Sequence, residues 1–291
     1  MLNIKPLAFD SFGVRSMATF VETDDLKILI DPGVALGPSR YKLPPHEIEL
    51  KREADLWKNV KDHAKEADVL ILTHYHYDHY NPEESEVYRD KIVYVKDPKV
   101  NINKSQKTRA SYFLKKIKNV PKSVDVADNR EYEHGLTKIK FSQPVYHGTS
   151  SKLGFVTEVF ISCAKEKVIH TSDVEGPSRY SQLVFILDER PNVLILDGPM
   201  TYMLGYRYSK MSLEFSIENI IKIINETDVE HIITDHHLLR DLKYEDRMKK
   251  VFEAAKDKKV NVVTAAKYGG KKIEMLEAKR KELFEGCHDF Q

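Results

Sequence analysis

Short apolar, β-branched runs punctuate the first third of the chain. Residues 18–22 and 27–30 flank Asp24-Asp25 and read as a hairpin. The second run stops at Asp31-Pro32-Gly33, where proline and glycine end the ladder and leave the Asp31 carboxylate at the strand's C-terminal end. From about 45 to 66 the spacing becomes helical, with Leu50, Ala54, Trp57, Val60 and Ala64 as the expected apolar face. Residues 69–72 read as a buried strand, and further strands are expected at 92–95, 139–141, 155–162 and 168–171, with mostly extended chain through the middle. After Pro177 the pattern alternates: helices at 178–187, 212–225, 244–256 and 271–285, strands at 193–196, 231–234 and 260–263.

Both halves run from strands to helices, and no Gly/Ser-rich or Pro-rich linker divides them. The reading is one domain over 1–291, an α/β fold in which two sheets pack face to face with helices outside, a four-layer αββα sandwich. At 291 residues and 41% hydrophobic composition the chain buries about three quarters of its unfolded surface, which excludes disorder. A net charge of +1 supplies no global field toward nucleic acid or an anionic membrane, so any such attraction is local. Apolar runs stop at four or five residues, far short of a membrane span of about 18. The N-terminal residues carry no secretory pattern, and the expected location is cytoplasmic. The two cysteines, Cys163 and Cys287, suggest neither a disulfide framework nor a thiolate metal site, and Cys163 reads as core. Lysine outnumbers arginine 34 to 12 and glutamine occurs four times, a bias similar to that of proteins from hot environments.

Candidate chemistry begins where the strand 69–72 ends. His74, His76, Asp78 and His79 form H-x-H-x-D-H, a pattern whose accidental occurrence in this composition is on the order of one in a thousand. In extended backbone His74 and His76 project to the same side, so two neutral imidazoles converge on one ion. Asp78 and His79 lie just beyond, where a turn aims an oxygen and a nitrogen at a second ion. Mixed N and O ligands suit zinc first, then iron or manganese.

With this motif the sequence resembles the metallo-β-lactamase superfamily, and more specifically an archaeal branch of it. The resemblance extends over most of the chain. Asp31 matches the first motif's supporting aspartate, and 74–79 the second motif in full. His147 in Pro-Val-Tyr-His-Gly matches the third, Asp173 in His-Thr-Ser-Asp the bridging carboxylate of the fourth, and His236 the fifth. Adjacent His237 is the alternative for that last position, or a proton donor beside it. The resemblance implies that His74, His76 and His147 hold one divalent metal ion, that Asp78, His79 and His236 hold the other, and that Asp173 bridges the two. It implies a hydrolase whose nucleophile is a hydroxide made at neutral pH by the paired cations, oriented by Asp78. His170 is read as a packing histidine near this centre.

The substrate is less legible. Between 98 and 124 stand eight cations, Lys99, Lys104, Lys107, Arg109, Lys115, Lys116, Lys118 and Lys122, and no acid. This stretch suits a phosphodiester, another phosphorylated small molecule or nucleic acid, and equally a solvated helix face. Tyr202, Tyr206 and Arg207 are candidate substrate contacts. Only 63 positions separate Asp173 from His236, too few for the inserted domain of the superfamily's RNA-cleaving nucleases. Thioester and lactone hydrolysis remain alternatives, as does a non-enzymatic nucleic-acid-binding or metal-responsive scaffold. Nothing in the sequence speaks to oligomeric state.

Overall fold

The computed structural model describes residues 2–286; Cys287 and His288 lie outside them. Six strands form the first sheet, in sequential order: β1 (Asn3–Phe9), β2 (Met17–Glu22), β3 (Lys27–Ile30), β4 (Val69–Leu72), β5 (Ile92–Val95) and β6 (Ser123–Val126). β1 to β3 are antiparallel, as short connections allow; from β3 to β6 the pairing is parallel, with α1 (Glu47–Glu66) crossing from β3 to β4, the long loop 73–91 from β4 to β5, and α2 (Lys104–Lys116) from β5 to β6. The second sheet begins with β7 (Glu131–His134) and β8 (Thr137–Phe141). A two-stranded ribbon, β9 (Val145–Tyr146) with β10 (Phe155–Val156), interrupts the chain before it resumes with β11 (Val159–Cys163), β12 (Glu166–His170), β13 (Val193–Asp197), β14 (His231–Asp235) and β15 (Asn261–Val263). It too changes from antiparallel to parallel, at β12, where α3 (Ser181–Glu189), α4 (Lys210–Glu226) and α5 (Tyr244–Lys258) begin to connect the strands.

Side-chain alternation sorts the faces of this second sheet. Ile161, Val168, Ile195 and Ile233 point into the core shared with the first sheet and with Val60 and Phe113 of its helices. Phe160, Ile169, Leu194 and Ile232 point the other way, onto Ile186, Ile223 and Val251 of α3, α4 and α5. Two sheets with helices outside make an α/β sandwich of the expected kind.

Several local expectations change. Leu50 and Ala54 face solvent, and α1 instead buries Glu49, Leu56, Val60 and Ala64. The shift brings Glu49 inward, where its carboxylate accepts the His46 N–H as part of the helix cap and pairs with the buried Arg280 at 2.7 and 2.8 Å. The stretch of cations contains α2, capped by Asn103, whose side chain accepts from Gln106 N at 2.8 Å; Gln106, Ala110 and Phe113 are its inward face. The expected strand 155–162 breaks at Thr157-Glu158, whose backbone amides donate to Thr73 O and Ser142 Oγ rather than into a ladder. Most of the expected closing helix 271–285 does not form, and only its last third is helical. α6 (Ala265–Tyr268) ends at Gly269-Gly270, and helix resumes only at α7 (Arg280–Phe284), because the intervening chain turns inward to bury Met275 and Leu276 and to pair Glu277 with Arg15. Cys163 is a free, buried thiol. Among the described residues no helix is long and apolar enough to cross a membrane.

Candidate metal centre

In both sheets the parallel strands end at one rim, as open α/β sheets present their binding residues. Asp31 follows β3, His74 to His79 follow β4, Asp173 follows β12, Asp197 ends β13 and His236 follows β14. His147 comes in from the loop after β9. Four of the residues gathered here, Asp31, Ser172, Glu175 and His236, hold φ between 50 and 58°, a left-handed backbone uncommon for residues with a side chain. At His236 this turn directs the imidazole inward immediately after the strand.

The side chains form two groups around one carboxylate. His74, His76, His147 and Asp173 offer atoms that all lie within 4.8 Å of one another, and so do Asp78, His79, Asp173 and His236. Asp173 divides its oxygens between the groups. Its Oδ2 lies 3.5 Å from His74 Nε2 and 3.2 Å from His147 Nε2, and its Oδ1 lies 2.9 Å from His79 Nε2 and 3.4 Å from His236 Nε2. His76 Nδ1 completes the first group, 3.1 Å from His147 Nε2; Asp78 Oδ2 completes the second, 3.7 Å from His236 Nε2.

The opposite ring nitrogens are anchored, which orients the inward ones. His79 Nδ1 meets Asp31 Oδ2 at 2.8 Å, and Asp31 accepts from both the amide and the hydroxyl of Thr73. His236 Nδ1 meets Asp10 Oδ2 at 2.7 Å, with Arg240 Nε donating to the other oxygen of Asp10. His74 Nδ1 lies 3.2 Å from the hydroxyls of Thr73 and Ser172. His147 Nδ1 is 3.5 Å from Glu175. His170 holds the loop, accepting from Ser172 N through Nδ1 while its Nε2 meets Met17 O.

Three of the inward atoms have no such partners. His74 Nε2, His79 Nε2 and Asp173 Oδ1 are buried without a hydrogen bond. Leaving buried polar atoms unpaired costs about 1–3 kcal/mol each, so their convergence is itself a sign that something cationic completes the site. Five imidazoles and two carboxylates in two sets match the donor set of a pair of divalent ions. The electrostatics show the same strain. Burial, then the neighbouring His79, pushes the His74 imidazole down to about 4. Burial opposes charge on His79 as well, yet Asp173 and Asp31 hold it well above its ordinary range; burial likewise opposes charge on His147, yet the neighbouring Asp173 and Glu175 carboxylates raise it to about 10. Divalent ions held by these residues would take the place of those protons.

His237 stands apart from the second group. Its backbone and ring Nδ1 are held by Asp197 at 3.1 and 3.0 Å, and it lines the open cleft. Burial, reinforced by Arg240 and His236, keeps the imidazole neutral. A neutral imidazole whose Nδ1–H is donated to Asp197 has a lone pair on Nε2, facing the cleft as an acceptor.

The cleft above the centre encloses about 430 Å³, and its wall includes Tyr202 and Arg207. Tyr206 is four-fifths exposed and does not belong to that wall, because the turn at Gly205 points it outward. Of the eight cations between 98 and 124, only Arg109 lines the cleft. The sequence reading missed Asp10, Glu175, Asp197 and Arg240. A usable signal existed for two of them, since Asp10 and Asp197, like Asp31, terminate apolar strand runs.

Comparison with known proteins agrees with this architecture. The family model of the metallo-beta-lactamase superfamily matches residues 12–185. A protein of Korarchaeum cryptofilum named UPF0282 protein is 54% identical over 285 residues, covering 98% of this chain and 95% of its own. In fold alone, the metallo-beta-lactamase fold protein YhfI from Bacillus subtilis is similar with TM-score 0.54 at 16% identity, over 90% of this chain and 95% of that one. An isothiocyanate hydrolase from Delia radicum gut bacteria gives 0.56 at 15%, over 91% and 95%. Sequence motifs, strand-end geometry and these likenesses together place the chain in the metallo-beta-lactamase superfamily, to which it belongs.

Proposed function

We propose that this protein is a metal-dependent hydrolase acting on a phosphodiester or other phosphorylated compound. The observation that carries the reading is the division of Asp173 between two sets of inward ring nitrogens. His74, His76 and His147 would hold one divalent ion, Asp78, His79 and His236 the other, with Asp173 common to both and zinc the first candidate. Such a pair supplies Lewis acidity and lowers the pKa of water toward neutrality.

The chain's own residues do the rest. Asp78 and Asp173 both line the cleft, and Asp78 is the more open of the two, 18% exposed where Asp173 is 2% exposed. It is placed to hold the attacking water by a hydrogen bond, take its proton and return that proton to the leaving oxygen. His237, its tautomer set by Asp197, offers Nε2 as an acceptor to a hydroxyl or water in the cleft. Asp31 and Asp10 hold the imidazoles of His79 and His236 with their Nε2 atoms inward.

The test is turnover of bis-p-nitrophenyl phosphate, a thioester and a lactone by protein loaded with zinc or manganese, beside Asp78→Ala with its metal content measured. Phosphodiester turnover that Asp78→Ala abolishes supports the reading. Bound metal with no turnover of any of the three overturns it. Nucleic-acid binding that falls steeply with salt and survives Asp78→Ala would favour the scaffold instead.

A further inference from the structure

Four cationic side chains line the cleft, Arg15, Arg109, Arg207 and Arg240, and all four are arginine in a chain where lysine is nearly three times as common. They are not equivalent. Arg15 is clamped by both oxygens of Glu277 at 2.6 Å, and Arg240 donates to Asp10 at 2.7 Å, so each spends its charge on the wall. Arg109 and Arg207 have no carboxylate within 4 Å among the described residues.

The Arg109 guanidinium is held by packing, and Arg207 is placed at the cleft by its backbone turn. Arg109 lies over the Tyr77 ring at 4.8 Å, inside the metal-binding motif, and its Nη1 donates to Tyr75 O at 3.3 Å. That packing holds a planar fork beside His76 and Asp78 with most of its donors unused. Arg207 sits on a turn closed by hydrogen bonds from Gly205 N to Tyr208 O and from its own N to Met203 O, on the segment leading to α4. The cleft thus carries one fork from the first half of the chain and one from the second.

We propose that Arg109 and Arg207 are the specificity-determining pair of this site, binding the phosphate oxygens of the substrate. This rests on the hydrolase reading for the word substrate, but the anion site stands on the arginines themselves. A planar fork with several donors matches phosphate oxygens bidentately, which a lysine point charge does not, and accounts for arginine being used where lysine abounds. A neutral lactone or thioester offers neither cation a counter-charge.

The experiment is calorimetric titration of phenyl phosphate into the zinc-loaded protein and into Arg109→Met, Arg207→Met, the double variant and Arg109→Lys, with zinc content and thermal midpoint measured for each. Each methionine variant is expected to bind about ten-fold more weakly or worse at unchanged zinc content, and Arg109→Lys to recover only part of the loss. Because Arg207 is exposed, its variant reads binding without a folding cost. A double variant that binds phenyl phosphate like the natural protein overturns the proposal, as does full recovery by lysine for the claim that the fork matters. Calorimetry needs no turnover. An inert protein whose phosphate binding still depends on both arginines would overturn the hydrolase reading alone.

Discussion

Replacing Asp31 by Asn changes one oxygen into an amide nitrogen and tests how the second metal group is held. Asp31 is fully buried and accepts three hydrogen bonds: Thr73 N at 2.8 Å on Oδ1, and Thr73 Oγ and His79 Nδ1 at 2.7 and 2.8 Å on Oδ2. Asn keeps the first of these with its carbonyl oxygen. At the position of Oδ2 it then presents N–H donors to His79 Nδ1, a donor facing a donor unless the imidazole changes tautomer. The changed tautomer carries its proton on Nε2, the atom 2.9 Å from Asp173 Oδ1 that a metal requires as a lone pair. One charge-assisted hydrogen bond, about 1.5–3 kcal/mol, is lost in either arrangement. Weaker binding of one cation by about 10–100-fold is therefore expected, with the other less affected, because His74 keeps the Ser172 hydroxyl as an anchor that Asp31 does not touch. Competition between the protein and a chromophoric zinc chelator resolves two binding steps and measures both. If Asp31→Asn binds two zinc ions with the natural affinities and is merely less stable, Asp31 is only the turn residue of Asp-Pro-Gly and the anchoring argument fails.

Three other outcomes are expected. Asp197→Asn frees the His237 tautomer and should lower kcat by about 10²–10⁴ at unchanged zinc content; unchanged kinetics would remove His237 from the chemistry. Glu158 is buried with both carboxyl oxygens unpartnered, and burial raises its pKa well above the ordinary range. The folded state then keeps a proton that the unfolded chain loses above about pH 4.3, so stability falls as pH rises from there toward the folded pKa; Glu158→Gln should raise the thermal midpoint at pH 7 more than at pH 4, and an equal change at both would refute this. Arg280→Met strands the buried Glu49 carboxylate and should cost about 3–5 kcal/mol in denaturant unfolding, mostly recovered in the Glu49→Leu/Arg280→Met double variant; a cost under 1 kcal/mol would show that the pair is not desolvated.

The metal-binding motif was legible because its spacing is local. His74 to His79 follow a strand within seven positions, and period-two backbone alone sends two imidazoles to one side. Strand and helix order in the second half was readable for the same reason, since hydrophobic period changes visibly between β13, α4, β14 and α5. The face of α1 was not readable, because Glu49 is inward only through Arg280, more than two hundred positions away. Nor was the closing segment, whose helical spacing loses to burial of Met275 and Leu276 and to the ion pair between Glu277 and Arg15. Of the basic stretch, the charge count was plain but its direction was not: helix geometry sends Arg109 to the cleft and leaves Lys104, Lys107 and Lys115 in solvent.

Local pattern thus determined the chemistry this chain carries, the imidazoles and carboxylates at strand ends and the α/β sandwich that presents them. Tertiary structure alone decided which atoms meet. It put His236 rather than His237 beside Asp78 and His79, gave His237 to Asp197, and neutralised two of the four cleft arginines while leaving two unpaired. The reason is physical: periodicity acts over a few residues, whereas hydrogen bonds and charge pairs form between any groups that packing brings within about 3 Å, however far apart they lie along the chain.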